Sequence, residues 1–244
     1  MTPDRLIAVS NNKTIYRDGD TCIKVFVHAD AKADVFREAH FQSLFEDSEL
    51  HVPRVLSVGI MDGKWYIESE YIRGNTLDSL LKAQPAQSRF HLQTLIRLQN
   101  AVHALSETSL PHLLPDIRQQ IQLASIDADT RSRLLERLNS VPQATQVCHG
   151  DFVPSNILIQ KDGTPYILDW GQARLGPAAY DISRTYLRFL MVDSASLAET
   201  YLELSEAEAG IPRRIVEEWL PLSAVMLLPT ANQRQRDILL PCIH

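Results

Sequence analysis

Glycine and cysteine are scarce in this chain, with nine glycines and three cysteines in 244 residues. Cys22, Cys148 and Cys242 are far apart, odd in number and form no CxxC pair, so neither a disulfide framework nor a cysteine zinc site is expected. A reducing, cytoplasmic setting is the expectation. GxSxG, HExxH and the GxxxxGK[ST] phosphate loop are also missing, which removes the simplest hydrolase, zinc-protease and P-loop readings. Positive charge is not in excess: 24 Lys and Arg stand against 30 Asp and Glu, a net charge of −6, so nucleic acid is not an expected partner. The apolar run at 220–228 is interrupted and too short to span a bilayer, and the start, MTPDRLIAVSNN, lacks the basic and apolar segments of a signal peptide. No membrane partner is expected.

What is present suffices for a folded core, since 45% of the residues are apolar. Residues 5–10, 13–17 and 21–27 cluster β-formers, with Asp18-Gly19-Asp20 as a turn. Helical spacing follows over 31–45, where Val35, Phe36, Ala39, Leu44 and Phe45 offer an apolar side. Strand signals resume in RVLSVGI and KWYIESEYI around Met61-Asp62-Gly63, giving a sheet of about five strands. After Arg73-Gly74-Asn75 the pattern turns helical, with Leu92, Leu95, Ile96, Val102 and Leu105 as one stripe. A hairpin signal, NILIQ and PYILD around Asp162-Gly163, precedes a mainly helical remainder. The class is therefore α+β in two lobes: residues 1–73 form a small antiparallel-sheet lobe with one helix, and 74–244 a larger, mainly helical one.

The stretch 149–170 reads HGDFVPSNILIQKDGTPYILDW and spaces three oxygen-bearing side chains: Asp151, Asn156 five positions later, and Asp169 thirteen beyond that. Phosphoryl transfer needs a carboxylate to orient and deprotonate the attacking hydroxyl, and hard oxygen ligands to hold magnesium against a triphosphate. Five fixed identities (His149, Gly150, Asp151, Asn156, Asp169) arise by chance in roughly one chain of this length in ten thousand. Protein kinases divide the labour in the same way, but here HGD stands for HRD and DW for DFG.

With those two replacements the segment resembles the aminoglycoside phosphotransferase and choline kinase-like family, of protein kinase-like fold. The resemblance extends to Lys24 in CIKVF, Glu38 in the next helix, EYIRGNTL, the Val102-His103-Ala104-Leu105 helix end and YDISR at 180–184. It implies a kinase that moves the γ-phosphoryl group of ATP or GTP, with Mg2+, onto a hydroxyl of a small molecule: an aminoglycoside, an amino-alcohol or a sugar. By position, Asp151 is the catalytic base and Asn156 and Asp169 are the magnesium ligands. Lys24 contacts the α- and β-phosphates and Glu38 holds it, with Glu46 as a competing partner. Ser69, Glu70, Tyr71 and Ile72 occupy the adenine-binding hinge, while His149 and Asp181 support the catalytic loop.

Other features are read in two ways. The first turn, Ser10-Asn11-Asn12-Lys13-Thr14, has no glycine where a kinase phosphate loop has GxGxxG; either Asn11 or Asn12 takes the left-handed conformation and cradles phosphate, or this is an ordinary β-turn. Cys148 reads as buried and inert rather than nucleophilic. Glu203, Glu206, Glu208, Glu217 and Glu218 either greet an amine-bearing acceptor or form a solvated helix face, the latter being favoured. The rival functions are a protein kinase, disfavoured because no APE-type peptide platform precedes Gly176-Pro177 and Tyr180-Asp181, and a pseudokinase that binds nucleotide or serves as a scaffold.

Overall fold

A computed structural model describes residues 5–9, 13–28 and 30–243. Three strands open the chain, β1 (Arg5–Val9), β2 (Lys13–Asp18) and β3 (Thr21–Phe26), and α1 (Lys32–Ser43) separates them from β4 (Val55–Met61) and β5 (Lys64–Glu70). All pair antiparallel in the order β1-β2-β3-β5-β4. The β4–β5 hairpin turns on Asp62 and Gly63, both at positive φ (50° and 75°), the backbone shape that makes Asp-Gly a tight-hairpin pair. Val35 and Ala39 of α1 pack on Phe26 and Ile67 of the sheet as one core. Phe36, grouped with that apolar side by its spacing, is instead half exposed and meets Trp65 edge-on at 5.5 Å.

The chain continues through β6 (Asn75–Thr76), α2 (Leu77–Ala83), α3 (Ser88–His103), α4 (Leu113–Leu123), α5 (Ala128–Ser140) and β7 (Gln146–Cys148). There follow the hairpin β8 (Ile157–Ile159) and β9 (Pro165–Ile167), then β10 (Arg174–Gly176) and four helices, α6 (Ala178–Leu190), α7 (Ala195–Ala209), α8 (Arg213–Leu227) and α9 (Gln233–Ile243). Leu113, Ile117 and Ile121 recur every fourth position on α4 and are fully buried in one core with residues of α5, α6, α8 and α9. Each such side chain contributes roughly 1.5–3 kcal/mol by leaving water. Among the described residues no helix is long and apolar enough to cross a membrane.

Contacts divide the chain differently from the expected cut after residue 73. One compact unit comprises the chain up to Leu80 together with Pro154–Gln172; the other comprises Leu81–Val153 and the chain from Ala173 onward. The 157–167 hairpin therefore belongs with the first unit, not with the helical one. Its strands join β6 in a three-stranded sheet, and the Ile167 N–H donates to His51 O at 2.9 Å. Trp170, just beyond, is fully buried and stacks on Phe45 with ring centres 4.2 Å apart. Three-residue strands show too little periodicity to announce which body they join.

Candidate active site

In the first unit, register decides which charges meet. Pairing of β2 with β3 sets Lys13 opposite Phe26 and Ile15 opposite Lys24. Opposed residues share a face and alternate residues return to it, so Lys13 and Lys24 project from the same side of the sheet. Glu38 reaches that side from α1. Its Oε1 accepts from Lys24 Nζ in a short contact and its Oε2 from Lys13 Nζ at 2.9 Å. Asp169 joins them: Lys13 Nζ lies 3.2 Å from Oδ1 and 3.4 Å from Oδ2, and Lys24 Nζ lies 3.6 Å from Oδ2.

These four side chains carry two charges of each sign in a half-buried setting. Burial acts to lower the Lys24 pKa, but the Asp169 and Glu38 carboxylates outweigh it and hold the ammonium above its ordinary value. Gly171 leaves room for Glu38, because a Cβ there would crowd Oε2 at 3.2 Å. Glu46, the competing partner for Lys24, instead accepts the Val55 N–H at 2.7 Å.

Asn156 closes the short 3₁₀ turn that leads into β8, and its carbonyl accepts the Leu168 N–H at 2.8 Å. The hairpin thus sets Asn156 against the residue preceding Asp169. Asp169 itself has φ of 62°, a left-handed conformation that Asp tolerates better than most residues and that turns the chain into the Trp170–Gln172 3₁₀ turn. An amide oxygen and a carboxylate are hard donors of the kind Mg2+ takes, and a protein that supplies one or two such ligands leaves the remaining positions to phosphate and water. The pair fits that ion. Among the described residues no cluster of three His, Cys, Asp or Glu forms a separate cation site.

Of the expected hinge residues, Ser69 and Glu70 end β5 and Tyr71 and Ile72 follow it. The Glu70 N–H donates to Arg54 O and the Tyr71 N–H to Asp20 O, at 3.0 and 2.9 Å, so both donors are already committed. The Tyr71 ring lies 4.5 Å from the Arg17 guanidinium. Ser10, Asn11 and Asn12 of the expected phosphate turn lie outside the described residues.

In the second unit, the loop after β7 carries His149, Gly150 and Asp151. Gly150 has φ of 80°, a conformation open to glycine at little cost. That twist aims successive N–H groups at Asp181 near the start of α6: His149 N–H donates to Oδ2 at 3.2 Å and Gly150 N–H to Oδ1 at 2.8 Å. His103 Nε2 and Gln99 Nε2, from α3, lie 3.2 and 3.4 Å from Oδ2. Asp181 has no solvent exposure. Burial pushes its pKa upward, yet the His103 hydrogen bond and charge, His149 and the Gly150 N–H bring it below the ordinary carboxylate value.

One helical turn further along α6, the Thr185 hydroxyl lies 2.8 Å from Phe152 O, so α6 grips the loop on both sides of Asp151. The next turn places Arg188 Nε 3.3 Å from Asp151 Oδ1. The Asp151 N–H donates to His149 Nδ1 at 3.3 Å. Cys148 is fully buried; burial and then the Asp181 charge raise its pKa well above the usual thiol value, which keeps it protonated and unreactive.

Sequence reasoning gave no role to His103, Gln99, Thr185 or Arg188. Asp181, Thr185 and Arg188 do fall at i, i+4 and i+7, a helical stripe of polar residues that signals a common target. Lys13 falls both within the first turn, residues 10–14, and at the start of the expected 13–17 strand, and it does begin β2. The acidic run is largely paired: Glu203 with Arg89, Glu208 with Arg97, Glu217 with Arg213 and Glu218 with Arg214, at 2.5–3.6 Å.

Residues 8–216 match the family model described as "Phosphotransferase enzyme family". Among solved structures, aminoglycoside phosphotransferase APH(4)-Ia is similar with a TM-score of 0.72 at 15% identity, over 97% of this chain and 90% of that one. A thermostable mutant of it, in ternary complex with AMP-PNP and hygromycin B, gives 0.69 at 16%, over 97% and 90%. Choline kinase LicA from Streptococcus pneumoniae gives 0.68 at 14%, over 100% and 92%. The fold is thus the α+β one of these small-molecule kinases. No curated protein matches the sequence.

Proposed function

Because the chain belongs to the phosphotransferase enzyme family, we propose that it transfers the γ-phosphoryl group of ATP or GTP, with magnesium, to a hydroxyl of a small molecule. The observation that carries this reading is the ion cluster in which Lys24 meets both Glu38 and Asp169. A cationic group beside a carboxylate able to take a metal is what a polyphosphate with its divalent cation requires.

Lys24 draws the α- and β-phosphates, and Glu38 keeps its ammonium in place. Asn156 and Asp169 hold the magnesium, whose chemistry is to neutralise charge on the transferring group. Ile72, whose N–H makes no hydrogen bond among the described residues, is the hinge donor left for the base. Asp151 orients the acceptor hydroxyl and takes its proton. As that proton leaves, the hydroxyl oxygen bonds to the γ-phosphorus and the bond to the β–γ bridging oxygen breaks, releasing the nucleoside diphosphate. Arg188 fixes the Asp151 carboxylate without touching the reacting atoms. ATP is favoured by the AMP-PNP held in the APH(4)-Ia complex. Since most of the candidate glutamates are paired with arginines, they do not argue for an amine-bearing acceptor.

The test is a screen of the purified protein with ATP and GTP against aminoglycosides, amino-alcohols and sugars, following phosphorylated product by mass. With an acceptor in hand, Asp151→Asn lowers turnover by roughly 10²- to 10⁴-fold and leaves nucleotide affinity within about twofold. Near-normal turnover in that variant removes Asp151 as the base.

A further inference from the structure

We propose that Lys13 is a resident counter-ion of Asp169 that passes to the incoming polyphosphate, so that nucleotide and divalent cation bind cooperatively through this one lysine. The inference rests on the phosphoryl-transfer reading above and adds a residue that neither the spacing of the motifs nor the family resemblance singled out.

The geometry supplies the argument. Lys13 Nζ spans both oxygens of Asp169, at 3.2 and 3.4 Å, and also holds Glu38 Oε2 at 2.9 Å. Lys24 takes the other Glu38 oxygen and approaches Asp169 Oδ2. Without nucleotide, then, both Asp169 oxygens face an ammonium group. A divalent cation arriving alone displaces at least one of those contacts and comes to rest beside two positive charges. Repulsion of that kind is strong where solvent screens poorly, so the lone cation binds weakly. A triphosphate reverses the balance, because its negative charge offers the displaced ammonium a new partner and the cation further oxygen ligands.

Of the two lysines, Lys13 is the one suited to the exchange. Lys24 sits in the middle of β3, flanked by β2 and β5, whereas Lys13 is the first residue of β2. Its Nζ lies 5.3 Å from the centre of the Phe26 ring, a weak contact that the head gives up when the flexible four-carbon stem swings it to a new partner. Linkage then requires reciprocity: whatever factor the nucleotide adds to cation affinity, the cation adds to nucleotide affinity.

The test uses the full chain with Lys13→Met and Lys13→Gln. Mn2+ without nucleotide is titrated by electron paramagnetic resonance, and AMP-PNP is titrated by calorimetry with and without Mg2+. Removing the ammonium raises Mn2+ affinity roughly tenfold, lowers metal-free AMP-PNP affinity roughly tenfold and shrinks the coupling between the two, while Lys13→Arg stays near wild type. Opposite signs are the signature. If Lys13 only props the sheet, the variants lose thermal stability and both affinities fall together or stay put, and the inference is overturned. Wild-type protein that binds no nucleotide at all would instead sink the phosphoryl-transfer reading; wild-type binding matched by the variants sinks the Lys13 inference alone.

Discussion

Glu38 and Asp181 are both buried carboxylates, and they are neutralised in opposite ways. Glu38 has two ammonium groups, each on a flexible stem and each also in contact with Asp169. Asp181 has backbone N–H groups of His149 and Gly150, with His103 and Gln99 from α3. Mobile cations can be traded for a ligand while the chain stays folded. Backbone donors cannot be traded without undoing the loop that carries Asp151. The first arrangement suits a binding site and the second a permanent clamp.

The sharpest way to break this comparison is to delete each carboxylate and compare stability with binding. Asp181→Ala strands buried donors on the 149–150 loop and α3, and costs about 3–5 kcal/mol in urea unfolding, the range for breaking a buried charged network. Glu38→Gln leaves lysine heads that can turn to Asp169 or to water, and costs about 1–2 kcal/mol while weakening nucleotide binding. If Glu38→Gln destabilises as much as Asp181→Ala, the distinction between clamp and exchangeable site fails.

pH separates the two regions again. The Asp181 carboxyl is held below its ordinary 3.8, so its contribution to stability is complete above that value and is lost as pH falls through the folded pKa. The Lys24 ammonium is held above its ordinary 10.5, so its contribution is complete below 10.5 and is lost as pH rises through the folded pKa. Denaturant unfolding across a pH series therefore shows a shallower acid limb in Asp181→Asn and a shallower alkaline limb in Lys24→Met. Both variants losing the same limb contradicts the assignment.

A smaller effect sharpens the backbone side. Gly150→Ala forces a β-carbon into the left-handed region at φ of 80° and costs about 1–2 kcal/mol. It also shifts the N–H that Asp181 receives, so turnover falls more than stability does. Asp169→Asn and Asp169→Ala both lose the ligand charge, but Asn accepts φ of 62° more readily, and the Ala variant is the less stable by about 0.5–1 kcal/mol in the same assay.

Much of this was legible in the sequence, and the exceptions have physical causes. Alternation and turn residues located the five-stranded sheet, motif spacing named Asn156 and Asp169, and the family resemblance named Lys24 and Glu38, all four in the first unit. Lys13 escaped because its position depends on the register of β2 against β3; a slip of one residue would send it to the opposite face. His103 and Gln99 escaped because a polar residue on a helix reads as solvent-facing until its buried partner, 78 or 82 positions away, is known. That contacts group the hairpin with the first unit is not legible in the sequence, because short strands report their own pairing and nothing of what covers them.

The smallest expected effect concerns the glutamates of α7 and α8, which belong to neither region. Glu217 and Glu218 sit four residues after Arg213 and Arg214, on exposed helix surface where each pair adds about 0.3–0.5 kcal/mol. Glu218→Gln therefore changes stability by less than about 0.5 kcal/mol, and added salt shrinks even that. If the run is only a solvated face, the KM for every acceptor found in the screen also stays put. A KM that rises for amine-bearing acceptors alone, with kcat and nucleotide affinity unmoved, would make these carboxylates acceptor ligands. Like Glu38, they would then be exchanging an internal cation for one carried by the substrate.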